Sequence, residues 1–251
     1  MSPLAGSYLA TATALLEKAV AVNTPVLEKL GPVIGESLAR GGVLHLFGSG
    51  HSDIIARELV GRAGGLVCIS SIPDVTGGFI ENLAGYGTKV AERYDRQYGL
   101  LPGETVIVIS NSGKNASPLE VALYAKAKGL HVVGLTCVEM AKSAATVHPG
   151  GKKLHEIADH VLDNCGVPGD AIVEIHAGRA GLPAEASAKA GPTSTFIGAT
   201  LLNLLALEVV GWLKAGGHPL PILRSQNVPG AIEYNRELAK KYKGRLSRLL
   251  A

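Results

Sequence analysis

The chain has 251 residues, of which 47% are apolar and only 4% aromatic, with 32 glycines and a formal net charge of +3. That length suits one large α/β domain and is short for two, and the absence of a dense Lys/Arg block argues against nucleic acid as the main partner. Cys68, Cys137 and Cys165 form an odd set without Cys-x-x-Cys spacing, which points to a reducing compartment and no structural zinc.

Residues 8–22 and 26–40 read as two amphipathic helices divided at Asn23-Thr24-Pro25, a natural stop and restart. The start of the chain has neither the basic opening nor the cleavage pattern of a signal peptide, so a cytoplasmic location is expected. A first strand is expected over 43–47, a helix over 51–63, a second strand over 66–70, a Pro- and Gly-rich loop over 72–78 and a helix over 79–98.

Val106 to Ile109 form an unbroken apolar run, the pattern of a central strand buried on both faces. Ser117, Pro118 and Glu120 spell a helix start with a hydroxyl cap, a proline at the first position and a capping-box glutamate; Gly129 ends that helix. A fourth strand is expected over 130–136, and the 140–148 stretch fits neither pattern. Short late strands follow over 161–163 and 171–175, then a loop over 176–191, a buried apolar helix over 193–214 and a charged amphipathic helix over 231–243. The apolar helix is long enough to mimic a membrane span, but Asn203 and Glu208 interrupt it and no second span follows, so a fully buried core helix and no membrane are expected. Strands alternating with helices imply a three-layer α/β/α sandwich around a doubly wound parallel sheet of about five strands.

Two strand-loop-helix units carry the chemistry. The loop Ser110-Asn111-Ser112-Gly113-Lys114-Asn115 is rich in hydroxyl and amide donors and feeds a helix N-terminus, where unpaired N–H groups favour an anion such as phosphate. The other loop is Gly48-Ser49-Gly50-His51-Ser52. The competing reading is an ordinary turn whose serines bond to their own backbone. A Walker loop is excluded, since Val108 occupies the first glycine position and Asn115 the Ser/Thr position; a dinucleotide fingerprint is weakened by Asp53 at the third glycine.

These two units, together with Gly191-Pro192-Thr193-Ser194-Thr195 opening a long helix, resemble the three signature regions of the SIS (sugar isomerase) domain. Glu58-Leu59-Val60-Gly61-Arg62-Ala63-Gly64-Gly65, Tyr234-Asn235-Arg236 and Lys241 to Arg245 resemble a branch of bacterial single-SIS-domain proteins. The likeness runs from about residue 41 to 245, with residues 1–40 expected as N-terminal helices of the same domain and 41–251 as the SIS domain. It implies a flavodoxin-like strand order, a sugar phosphate as ligand, no cofactor, and a homodimer or higher oligomer in which neighbouring subunits complete the site. On the matching positions it assigns phosphate and sugar binding to Gly50, Ser52, Ser110, Asn111, Ser112, Asn115, Thr193 and Ser194.

Aldose-ketose isomerisation needs a base to move a proton between adjacent carbons and an acid to help open the ring. Glu58 shares a helix face with His51 and matches a carboxylate that is catalytic in several SIS isomerases; its structural alternative is an ion pair with Arg62. His51 serves either as base or as a loop-capping residue. Glu208, a lone acid in an apolar helix, is either functional or paired with a neighbouring helix. His148, His155, His160 and His176 lack ligand spacing, so no metal is expected. The expected function is a sugar-phosphate isomerase acting through an enediol; the alternatives are a phosphosugar sensor without turnover and a lyase for an ether-linked sugar phosphate.

Overall fold

The computed structural model describes residues 1–175 and 188–247. Helix α1 (Pro3–Ala39) leads into β1 (Leu44–Gly48), α2 (Ser52–Glu58), β2 (Ile69–Ile72), α3 (Tyr86–Tyr98), β3 (Thr105–Ile109), α4 (Ala116–Ala127) and β4 (His131–Thr136). Then come α5 (Val138–Ser143), α6 (Leu154–Ile157), β5 (His160–Asp163), β6 (Ala171–Ile175), β7 (Ala188–Pro192), α7 (Ser194–Ala215) and α8 (Ala231–Lys240). The first five strands form one parallel sheet in the order β2-β1-β3-β4-β5, the flavodoxin-like order.

Both faces of the sheet are covered, and the strands alternate between two cores. Leu44, Leu46, Ile107, Ile109, Val133 and Leu135 pack with α1, α2 and α7; Phe47, Val106, Val108 and Val132 pack with α3, α4 and α6. This is why the strands read as continuous apolar runs.

Several expected boundaries move. The N-terminal pair of helices is one helix of 37 residues, roughly 55 Å long by its rise, with Pro25 and Pro32 inside it. Its buried stripe of Ala12, Ala19, Asn23, Leu27, Leu30, Ile34 and Leu38 passes through the expected break without losing helical spacing. The prolines remove bonds to the carbonyls of Ala21 and Glu28, but both residues are exposed, so water can replace those bonds. Asn23, which reads as a stop signal, is buried and faces β5. Its Nδ2 donates to Asp163 O (2.7 Å) and Ala19 O (2.6 Å), and its Oδ1 accepts from Asp163 N (2.8 Å). The side chain thus satisfies backbone groups at the sheet edge.

The second strand begins at Ile69 because Leu66 and Val67 are already paired, in the opposite direction, with the segment 221–223. Helix α2 stops at Glu58, ahead of Gly61 and Gly64 at φ +67° and +79°. The helix expected from 79 starts only at Tyr86. The expected capping box on α4 is absent: Asn115 is its N-cap residue, Ser117 lies within the first turn, and Glu120 caps α3 by accepting from Gly85 N (2.5 Å) and Thr88 N (3.1 Å). The two helix starts cross in direct backbone contact, since a Cβ on Gly87 would stand 2.3 Å from Ser117 O. The 140–148 stretch opens within the short helix α5. Strand β6 lies outside the main sheet and pairs antiparallel with β7, part of the stretch expected as loop; the rest of that loop, with His176, lies outside the described residues. Helix α8 ends at Lys240, three residues early.

Helix α7 is not buried all round. Leu201, Leu202, Leu205, Val209 and Leu213 face the core, while Asn203, Leu207, Glu208 and Lys214 are exposed. It crosses α1 where small residues permit close approach: a Cβ on Gly31 would lie 3.2 Å from Glu208 O, and one on Gly35 would meet the Trp212 ring. Among the described residues it is the one helix long and apolar enough to cross a bilayer by length and composition.

At the end of the sheet where β1 and β3 begin, Glu104 is buried and gathers four partners. It accepts from Val43 N (2.9 Å), Leu101 N (3.0 Å) and Arg245 (2.8 and 2.9 Å), and lies 2.9 Å from His45 Nε2. Tyr94 OH lies 2.9 Å from His45 Nδ1 and 2.6 Å from Ser70 Oγ, which accepts from Ser247 N. The network fastens the C-terminal segment to the sheet. Burial pushes the His45 pKa below its ordinary value despite the carboxylate, so the ring is neutral. Burial acts to raise Glu104, but hydrogen bonding to His45, and then to Leu101 N–H and Arg245, outweighs it and holds the carboxyl below its usual range.

Replacing Asn23 by Ala leaves the Asp163 backbone unpaired in a buried place and should cost about 2–3 kcal/mol in urea unfolding. Thr24→Ala, which loses only a bond to Val20 O on an exposed face, should stay within about 0.5 kcal/mol. For the His45–Glu104 pair, both folded-state pKa values are depressed, so the unfolded chain binds more protons and stability rises with pH. Unfolding free energy should therefore be full above the ordinary histidine pKa of about 6.5 and fall below it, with a second loss below the ordinary carboxylate value of about 4.3. His160, lowered by burial and by Lys29, adds to the first phase. His45→Gln in a pH series of urea melts should flatten that phase, and an unchanged profile would contradict a neutral buried His45.

Candidate functional site

The cleft opens at the C-terminal ends of β1 and β3, which lie side by side while α2 and α4 leave on opposite faces. It has a volume of about 530 Å³. One wall is the β1 loop. Gly48 allows the chain to fold back on itself, since a Cβ there would stand 2.3 Å from Ser52 O, and Gly50 takes φ +58°. His51 is the exposed N-cap residue of α2, and Ser52 is half-buried beside it.

The β3 loop forms the facing wall. Ser110 is buried, and its Oγ accepts from Gly113 N at 3.2 Å. Asn111 is held by Asn164, whose Nδ2 donates to Asn111 Oδ1 at 2.8 Å. The hydroxyl of Ser112, half-exposed, makes no hydrogen bond among the described residues. Asn115 donates through Nδ2 to Glu81 Oε1 at 2.6 Å.

Three carboxylates that sequence reasoning passed over shape this site. Glu81 lines the cleft, half-buried, and its backbone carbonyl accepts from Ser117 N (2.8 Å), which fixes it against the start of α4. Asp170 lines it as well, at φ +64°, and caps α7. It accepts from Thr193 N (3.1 Å), Ser194 N (2.9 Å) and Ser194 Oγ (2.6 Å). Asp74 stands behind the β1 loop and accepts from Ser49 Oγ (2.7 Å), Thr76 N and Oγ1 (2.9 and 2.7 Å), Gly78 N (3.0 Å) and Tyr86 OH (2.8 Å). Burial acts to raise its pKa, but hydrogen bonds from Ser49, Thr76 and Tyr86 prevail and lower it. The loop it gathers sits directly on the β1 loop, because a Cβ on Gly78 would lie 2.8 Å from Gly50 Cα. The sequence signal for Glu81 and Asp170 is nearby glycine, Gly77-Gly78 three residues ahead of Glu81 and Gly169 beside Asp170.

Of the residues singled out from sequence, Gly50, His51, Ser52, Ser110, Asn111, Ser112, Asn115 and Ser194 line the cleft. Thr193 does not; it is fully buried beneath Asp170. Glu58 lies outside the cleft lining at the far end of α2 and is ion-paired with Arg62, so it does not flank the cleft with His51. Glu208 is likewise outside it, with an exposed side chain, so the requirement that a buried acid be paired does not arise.

The arrangement can hold an anion on hydroxyl, amide and backbone donors, and the carboxylates of Glu81 and Asp170 line the same cleft, Glu81 bonded to Asn115 of the donor loop. Solved structures with this fold include phosphoheptose isomerase GmhA from Neisseria gonorrhoeae, with a TM-score of 0.52 and 17% identity over 82% of this chain and 96% of that one. A phosphoheptose isomerase from Francisella tularensis gives a TM-score of 0.54 and 15% identity, covering 83% and 98%. At these identities the likeness is one of fold. Closer relatives by sequence are UPF0309 proteins of Caldanaerobacter subterraneus (34% identical, covering 93% of this chain and 95% of the relative) and Listeria monocytogenes (32%, covering 97% and 99%). The SIS domain profile matches residues 7–137, over half the chain. On that match, and on relatives a third identical from end to end, the chain belongs to the SIS domain family.

Proposed function

We propose that the protein binds a sugar phosphate in this cleft and interconverts its aldose and ketose forms through an enediol. The observation that carries the reading is the pairing of a donor-rich loop, Ser110 to Asn115, with the half-buried carboxylate of Glu81 in one cleft at the end of adjacent parallel strands. The phosphate lies on Ser112, Asn111 and the loop backbone, with Ser52 opposite. Glu81 is the base. One of its oxygens is held by Asn115, which aims the carboxylate and leaves the other for the carbon-bound proton. His51, at the rim, assists ring opening. Asp170 is committed to the start of α7, and Glu58, the carboxylate to which the family likeness points, is committed to Arg62. The protein acts in the cytoplasm as a homodimer or higher oligomer. The three free, buried cysteines and the exposed Leu4, Leu9, Phe79 and Leu207 support those two readings.

Ser112→Ala should weaken a sugar phosphate about tenfold or more, the scale of one hydrogen bond to a charged group, and add little to the loss already small for the unphosphorylated sugar. Equal losses for both ligands in calorimetry would remove the phosphate from this loop.

Proton transfer is read by deuterium uptake at the carbon next to the carbonyl when candidate sugar phosphates are incubated in heavy water. Glu81→Gln should slow uptake on the order of 10²-fold, the usual scale for a general base, with binding retained. Glu58→Gln and Glu208→Gln, tested alongside, should retain it. Loss in Glu58→Gln instead would assign the base to α2, and tight binding without uptake in the wild type would leave a sensor.

A further inference from the structure

Behind the wall built on Asp74 lies a second cavity, of about 370 Å³, between α3 and residues 73–75. Its chemistry differs from that of the first. Among the described residues the first cleft has no Phe, Tyr or Trp in its lining, whereas Tyr86, Tyr94 and Tyr98 all line this one, three of the seven tyrosines of an aromatic-poor chain. Two of the three hydroxyls are engaged away from it. Tyr86 OH donates to Asp74 at 2.8 Å, and Tyr94 OH sits in the buried network with His45 and Ser70. The cavity is therefore offered more ring surface than hydroxyl, extended by Pro73, Val75 and Val90, with Gln97 and Ser247 as its uncharged polar residues.

The charge is equally one-sided. Lys89 and Arg93 lie one turn apart on α3 and both line the cavity, while no acidic residue does so among the described residues. Lys89 has a half-buried partner in Glu92; Arg93 has no carboxylate partner among the described residues. An aromatic and aliphatic surface with an unpaired guanidinium beside it suits a ligand that is flat and apolar in its body and anionic at one end. The volume falls within the range of small-molecule sites.

We propose that this cavity is a second ligand site, for a small anion bearing a flat ring, of the nucleoside monophosphate class. The ring lies on the tyrosines and the phosphate on Arg93 and Lys89. The assignment does not depend on what the first cleft binds. The two sites share one wall, since the Tyr86 that lines the second holds the Asp74 that holds Ser49 of the first.

The test is calorimetric titration of the full chain with AMP, adenosine and inorganic phosphate. AMP should bind at least about tenfold more tightly than either fragment, because only it uses both the rings and the guanidinium. Arg93→Ala and the charge-reversing Arg93→Glu, at an exposed position where folding is not at stake, should each weaken AMP about tenfold or more. Ser112→Ala in the first cleft should leave AMP affinity within about twofold. No binding at millimolar AMP, or AMP binding that ignores both Arg93 variants, would overturn the proposal. So would a loss that follows Ser112→Ala, which would put AMP in the first cleft.

Discussion

The pairing of β1 with β3 is the constraint on which this molecule depends. The chain makes β2 before β3, yet β3 pairs with the other edge of β1, so the winding reverses and the helices that follow β1 and β3, α2 and α4, leave on opposite faces. A crevice opens at that point because neither helix can cover it, and in an open parallel sheet it is where ligands bind. Two loops separated by some sixty residues of sequence thereby face each other. Neither loop is a site alone.

Carboxylates hold the walls of that crevice, and each acts at a distance in sequence. Glu120 on α4 caps α3, Asp170 caps α7, and Asp74 gathers the turn over the β1 loop. Each satisfies backbone N–H groups that a helix start or tight turn leaves without partners. The arrangement gives the cleft a rigid rim made largely of glycine-dependent turns, with Gly48, Gly78 and Gly87 at points where a side chain would strike backbone. It also explains why few charges in the cleft are free to react: most acids near it are already committed to structure.

The opposite end of the sheet carries a different solution to the same problem. The starts of β1 and β3 meet at Glu104, whose carboxylate satisfies two backbone donors, His45 and Arg245 together. A buried charge with this many partners is costly to disturb, because His45 and the Val43 backbone, left without it, are themselves buried. The polar network joins the last described residues to the sheet, so the C-terminal segment belongs to the core although it is far from it in sequence.

The sequence alone determined the class of fold and the location of the two donor-rich loops. A short apolar run such as Val106 to Ile109, bounded by turn residues, suits a strand buried on both faces, and the serine- and glycine-rich stretches that follow Phe47 and Ile109 suit loops; these are local matters of sterics and solvation. Helix starts and stops were less legible, because tertiary contacts override local signals. Asn23-Thr24-Pro25 reads as a break, but the buried stripe of α1 continues through it and Asn23 finds its partners on β5. Ser117 and Glu120 read as one capping box, but Glu120 caps another helix. Glu58 and Glu208 drew attention as acids in helices; the fold pairs one with Arg62 and turns the other outward. Glu81 and Asp170, which the fold sets in the cleft, stand in loops with nothing periodic to mark them. Their position is decided by which backbone groups elsewhere need an acceptor, and only the assembled chain specifies that.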